Sequence, residues 1–88
     1  MSEDIALGRY MRAVQRETPV GRKTASYDVL SVSSGEALGT VQWFGRWRQY
    51  TFDPSPNSTF NRDCMIDLAN FLRRLNDDQR RTQGERKP

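Results

Sequence analysis

Residues 3–16, EDIALGRYMRAVQR, set Leu7, Tyr10, Met11 and Val14 at i, i+3, i+4 and i+7, the spacing of one face of an α-helix. Ile5 and Ala6 extend that face, and Ser2 can cap it. Glu3 and Asp4 suit the positive end of a helix dipole, and Arg12 and Arg16 the negative end. Gly8 weakens the segment as a helix by about 1 kcal/mol relative to alanine. An N-terminal helix is therefore expected. It ends at Thr18-Pro19, because a residue before proline is pushed out of the α region, and VGRKTA (20–25) reads as a mobile linker.

From Ser26 onward, β-branched and aromatic residues come in short runs broken by turn residues, the texture of strands. YDVLSV (27–32), ALGTVQWF (37–44) and WRQYTF (47–52) read as three strands, with SSGE (33–36) as the first turn. Gly45-Arg46 reads as a two-residue Gly-X hairpin turn. DPSPNST (53–59) closes the sheet region, since proline cannot join a central ladder. NRDCMIDLANFLRRLNDDQ (61–79) carries Cys64, Met65, Leu68, Ala69, Phe71, Leu72 and Leu75 along a broad apolar stripe. Asn61 is a good N-cap, and Phe60 is placed to pack on Met65 as a hydrophobic staple. RRTQGERKP (80–88) lacks apolar residues and is expected to be disordered. The expected fold is α+β: a three-stranded antiparallel β-meander packed against a C-terminal helix, with an additional N-terminal helix. Residues 1–24 form the helix and linker, 25–79 the β-β-β-α domain and 80–88 a basic tail.

The turn at Gly45-Arg46 sets a register in which Phe44 faces Trp47, Trp43 faces Arg48 and Val41 faces Tyr50. Alternation puts Val41, Trp43, Arg48, Tyr50 and Phe52, beside Gly39, on one face, the seat for the C-terminal helix. The other face carries Thr40, Gln42, Phe44, Trp47, Gln49 and Thr51. Its tip, Phe44 and Trp47 beside Arg46, has two readings. As a cross-strand aromatic pair it contributes up to about 1 kcal/mol to the hairpin. As an exposed platform it stacks bases or anchors in a protein pocket.

At 88 residues with 35% hydrophobic and 28% charged residues, the chain is one domain with a small core and no membrane span. The opening MSEDIALGRY has no apolar h-region, so a cytoplasmic address is expected. A single cysteine, Cys64, and the absence of histidine exclude internal disulfides, Cys/His zinc sites and His-dependent nucleophilic catalysis. The carboxylates show no motif spacing, so neither an enzyme nor a cofactor nor a metal site is expected. Cys64, on the buried helix face, reads as a small hydrophobe.

The net charge of +3 is unevenly spread. Residues 9–23 hold Arg9, Arg12, Arg16, Arg22 and Lys23 against Glu17, and residues 73–88 hold six basic and three acidic side chains. The middle, 26–72, has three arginines and five acids, a net of −2. Most arginines on such flanks form a solvated face, but the N-terminal set can also follow a phosphate backbone.

The segment LGTVQWFGRWRQYTFDP followed by TFNRDCMIDLANFLRRLN resembles a pattern of small proteins encoded by tailed phages and prophages. In that pattern a strand ends in tryptophan and an aromatic, W-R-x-Y follows, and a helix with C-[LM]-x-D-[IL]-x-x-F comes after a proline. The resemblance covers residues 38–76 and implies a compact sheet-plus-helix unit acting in a bacterial host cell, with no activity attached. The sheet-on-helix arrangement is also similar to the arm-type DNA-binding domains of phage integrases, an analogy of fold that does not fix function. Against it stands the negative middle region.

The leading expectation is a non-enzymatic module that binds DNA or RNA. Phe44 and Trp47 would stack or wedge, Arg46 and Arg48 would contact phosphate or base edges with Gln49 among the binding residues, and Arg9, Arg12, Arg16, Arg22 and Lys23 would supply salt-sensitive attraction. The alternative is a protein that binds and inhibits a host protein, such as a component of an anti-phage defence system or of the transcription machinery, with the same aromatics as hot spots. A third reading is a virion assembly subunit, a homo-oligomer pairing through a free sheet edge.

Overall fold

The computed structural model describes residues 4–18, 21 and 23–85, with side chains as far as Arg81. Five strands, β1 (Asp4–Leu7), β2 (Met11–Gln15), β3 (Tyr27–Ser31), β4 (Ala37–Phe44) and β5 (Gln49–Pro54), form one antiparallel meander in chain order, and α1 (Arg62–Glu85) follows. The fold is α+β, as expected. The sheet has five strands rather than three, and the expected N-terminal helix is a β-hairpin.

The error has a physical source. Leu7 and Met11 are register partners across the three-residue reversal Gly8–Tyr10. Their four-residue spacing, which matches a helical turn, is here the spacing across a hairpin end. Gly8 adopts φ +72, a left-handed conformation that side chains other than glycine resist, so the residue that weakened the helix makes the turn. Within each strand the period is two. Ile5, Leu7, Met11 and Ala13 point toward the core, and Asp4, Ala6, Arg12 and Val14 point away. Asp4 and Arg12, expected at opposite ends of a helix dipole, instead pair with each other at 2.6 Å.

The core lies between one face of the sheet and α1. Leu7, Met11, Ala13, Tyr27, Val29, Val41 and Tyr50 meet Cys64, Leu68 and Phe71. Cys64 is therefore a buried apolar-face residue, as read from the sequence. Tyr27 stands edge-on to Phe71, with ring centroids 5.2 Å apart, and Trp43 edge-on to Tyr50 at 5.4 Å. Burial pushes both phenols above their usual range. For Tyr27 the Asp78 carboxylate adds to the rise. For Tyr50 the proximity of Tyr27 adds to it, and a hydrogen bond with the Ala25 backbone opposes it.

Pairing of β3 with β4 is interrupted: Val29 faces Gly39 but Leu30 faces Ala37. Leu38 is the extra residue of this β-bulge, and its side chain packs against the core. At Gly39 a Cβ would lie 2.5 Å from the Phe52 ring, so the bare backbone is what lets that ring cover β4. β5 extends to Pro54, which pairs with Gly39. The sheet therefore runs two residues, Asp53 and Pro54, past the point where the prolines were expected to close it, because β5 is an edge strand and an edge tolerates proline.

The helix starts where the cap predicts. Asn61 Oδ1 accepts from the Cys64 amide at 2.8 Å. The expected staple partner Met65 is instead 57% exposed, and Phe60 stacks edge-on against Phe52 at 5.4 Å. At the other end α1 continues past Gln79 to Glu85, so the stretch expected to be disordered is helical that far; residues 86–88 lie outside those described. Ion pairs of Asp77 with Arg73 and Arg80, and of Asp78 with Arg81, brace this part of the helix.

Candidate nucleic-acid interface

A meander sends its turns alternately to two ends. The β1–β2 and β3–β4 turns share one end with the start of α1. The β2–β3 and β4–β5 loops share the other with the later turns of α1. The long dimension of the molecule is 46 Å.

At the second end, β4 and β5 are joined by four residues, Gly45–Arg48, not by the two expected. Phe44 faces Gln49 and Trp43 faces Tyr50. The shift of register is two residues, so each side chain within the paired strands keeps its expected face. Trp47 and Arg48 leave the ladder and become loop. Their amides donate to Phe44 O at 3.1 and 2.9 Å, and Arg48 also reaches Gly45 O at 3.2 Å. Arg48 sits at φ 55, the left-handed region, which costs a non-glycine residue about 1–2 kcal/mol. Glycine would occupy this position more cheaply, yet the chain places a guanidinium there.

Phe44 and Trp47 remain in contact despite the change of turn, edge-to-face with centroids 4.9 Å apart. They are 38% and 63% exposed. Arg46, Arg48 and Gln49 are exposed around them. Lys23 and Thr24, from the β2–β3 loop, join Trp43, Gly45, Arg48 and Gln79 in lining a cleft of about 400 Å³ beside the tip. Among the described residues no carboxylate lines this cleft.

The other sequence candidates are dispersed. Arg9 belongs to the β1–β2 turn at the opposite end. Arg12 and Arg16 are committed on the uncovered sheet face, to Asp4 at 2.6 Å and to Asp28 at 3.8 Å. Arg22 lies outside the described residues. Of the described N-terminal cations expected to act together, Arg9, Arg12, Arg16 and Lys23, only Lys23 joins the tip. The uncovered face is otherwise polar, with Gln42 donating to Asp53 at 3.0 Å, so its carboxylates oppose the approach of a phosphate backbone across the sheet.

A second feature was missed in the sequence. At the far end Tyr10 (45% exposed), Val32 (55%) and Ile66 (43%) are exposed apolar residues. Beside them a cleft of about 370 Å³ is lined by Met11, Leu38, Phe60 and Cys64, with Arg9 and Asn61 among its polar residues. No local pattern marks it, because its residues come from β2, β3, β4, α1 and the loops between them. Among the described residues no cluster of three histidine, cysteine or acidic side chains is placed to hold a metal ion. Among the described residues, no helix is long and apolar enough to cross a membrane.

The chain is similar to an uncharacterised 9.3 kDa protein of Acholeplasma phage L2, at 26% identity over 77 residues that cover 88% of this chain and 97% of that protein. No family model matches it, and no solved structure does. The resemblance to small phage proteins is thus supported in its coarse form.

Proposed function

We propose that this is a small phage-type binding module that takes single-stranded nucleic acid at its hairpin end. What supports the reading most is the combination there: an exposed aromatic pair, Phe44 and Trp47, flanked by Arg46, Arg48 and Lys23. Among the described residues none of these three cations is held in an ion pair. Aromatic platforms within a positive surface suit unpaired bases, whose π-faces are accessible, and stacking contributes about 1–3 kcal/mol per base. A duplex hides those faces, and the uncovered sheet face, with its arginines neutralised, offers it little.

The test is titration with labelled single strands and duplexes at two salt concentrations. Single strands should bind in a salt-sensitive way, and Trp47→Ala should weaken binding about 5- to 100-fold with the thermal unfolding profile unchanged. Arg12→Ala, which removes a paired cation, should change affinity by no more than about twofold. Unchanged affinity in the Trp47 variant would overturn the assignment.

The apolar patch at the far end favours a second reading, a protein that binds a host protein there. Binding of that kind resists salt, and a charge at the patch, as in Val32→Asp, would abolish it while leaving the hairpin end intact.

A further inference from the structure

We infer that the cleft beside the hairpin tip is a single-nucleotide pocket, in which Lys23 and Arg48 hold a phosphate while Trp43 and Gln79 take the base. The inference rests on the proposed single-strand reading and adds to it a second, recessed position next to the exposed platform.

Four observations carry it. The cleft is assembled from three elements distant in sequence: the β2–β3 loop, the β4–β5 hairpin and α1. Its volume of about 400 Å³ falls within the range of small-molecule sites. Its lining sorts into the chemistry a nucleotide needs: two cations for the phosphate, an indole for the base, and the Gln79 amide and Thr24 hydroxyl as donors and acceptors for polar edges. Last, the carboxylates next along the helix, Asp77 and Asp78, are engaged by Arg80 and Arg81, which lowers their repulsion of an incoming phosphate.

Arg48 links this pocket to the tip. Its left-handed backbone turns the chain out of the loop and back into β5 between Trp47 and Gln49, so the residue next in sequence to the platform's Trp47 lines the cleft. A strand whose one base stacks on Trp47 would then lodge a neighbouring nucleotide against Trp43.

The two indoles make the test direct, because Trp43 and Trp47 are the only tryptophans. Trp47→Phe keeps an aromatic ring at the tip and leaves Trp43 as the sole reporter. Titrating the full-length variant with oligothymidylate should quench Trp43 in a salt-sensitive way, and fluorescence anisotropy of the labelled strand should give the same affinity. Lys23→Ala and Gln79→Ala should each weaken binding roughly tenfold. Arg48→Gly should keep or raise the melting temperature while weakening binding and reducing the salt slope by about 0.7. Binding that leaves Trp43 unquenched and is unaffected by Lys23→Ala and Gln79→Ala overturns the pocket and leaves the single-strand reading standing. Absence of binding by any oligonucleotide at low salt overturns both. Inorganic phosphate serves as a competitor: if it displaces the strand as well as thymidine monophosphate does and Gln79→Ala has no effect, the cleft is a plain anion site and the nucleotide assignment falls.

Discussion

Gly8 shows how one residue can mislead a reading of pattern and then resolve it. Its φ of +72 closes the first hairpin, and a Cβ at this position would come within 1.9 Å of the Asp67 carboxylate on α1. Gly8→Ala is expected to cost about 1–2 kcal/mol from the backbone conformation, a fall of several degrees in melting temperature for a domain of this size. Adding Asp67→Ala should relieve only the steric part. A melting temperature equal to the parent's would show that the hairpin turn is not as described. Residue identity also made part of the site legible. Phe44, Trp47 and Arg46 were recognisable as a cluster because they are contiguous, whereas Gln79, 32 residues beyond Trp47, had no local signal to connect it with Lys23 and Trp43.

At the scale of elements, strand faces proved more robust than strand pairing. The β4–β5 loop is four residues long and the register differs by two, yet Val41, Trp43, Tyr50 and Phe52 face the core as expected, because the side-chain period of a strand is two. α1 does more than cover these residues. β5 is an edge strand, and its Tyr50 amide donates to Asn76 Oδ1 at 2.7 Å, so a helix side chain closes a backbone group that a sixth strand would otherwise claim. Asn76→Ala leaves this part-buried donor unsatisfied, at an expected cost of about 1–2 kcal/mol. Amide exchange at Tyr50 should accelerate accordingly, and protection at the parent level would show that the bond does not form. The apolar stripe predicted where α1 packs, but not how far it runs. Beyond Gln79 the helix is supported by ion pairs along its own surface, which a search for buried residues does not detect.

For the whole molecule, Tyr27 and Tyr50 couple stability to alkaline pH. Both phenols ionise less readily in the folded protein than in the unfolded chain, where the value is about 10. Below that pH both states hold the protons and stability is unaffected. As pH rises above about 10 the unfolded chain loses protons first, so stability falls until the folded phenols ionise in turn. Melting temperature should therefore drop through this window, and Tyr27→Phe should flatten the drop; an equally steep decline in that variant would exclude Tyr27 as its source. The sequence by itself determined that Cys/His metal sites and internal disulfides could not be built from these residues, through its lack of histidine and its single cysteine, and it determined the α+β class, the inward-facing residues of β4 and β5, and the capped start of α1. These follow from composition and from periods of two and 3.6 that act within a few residues. Only the tertiary structure decided that residues 4–15 form a β-hairpin, since a hairpin end and a helical turn place Leu7 and Met11 side by side alike, and the pairing of β2 with β3 together with the left-handed turn at Gly8 selects between them. It also decided which cations are available, because Arg12 and Arg16 meet Asp4 and Asp28 across strands while Lys23 and Arg48 meet at a cleft. Charge pairing depends on distances in space that spacing along the chain does not encode.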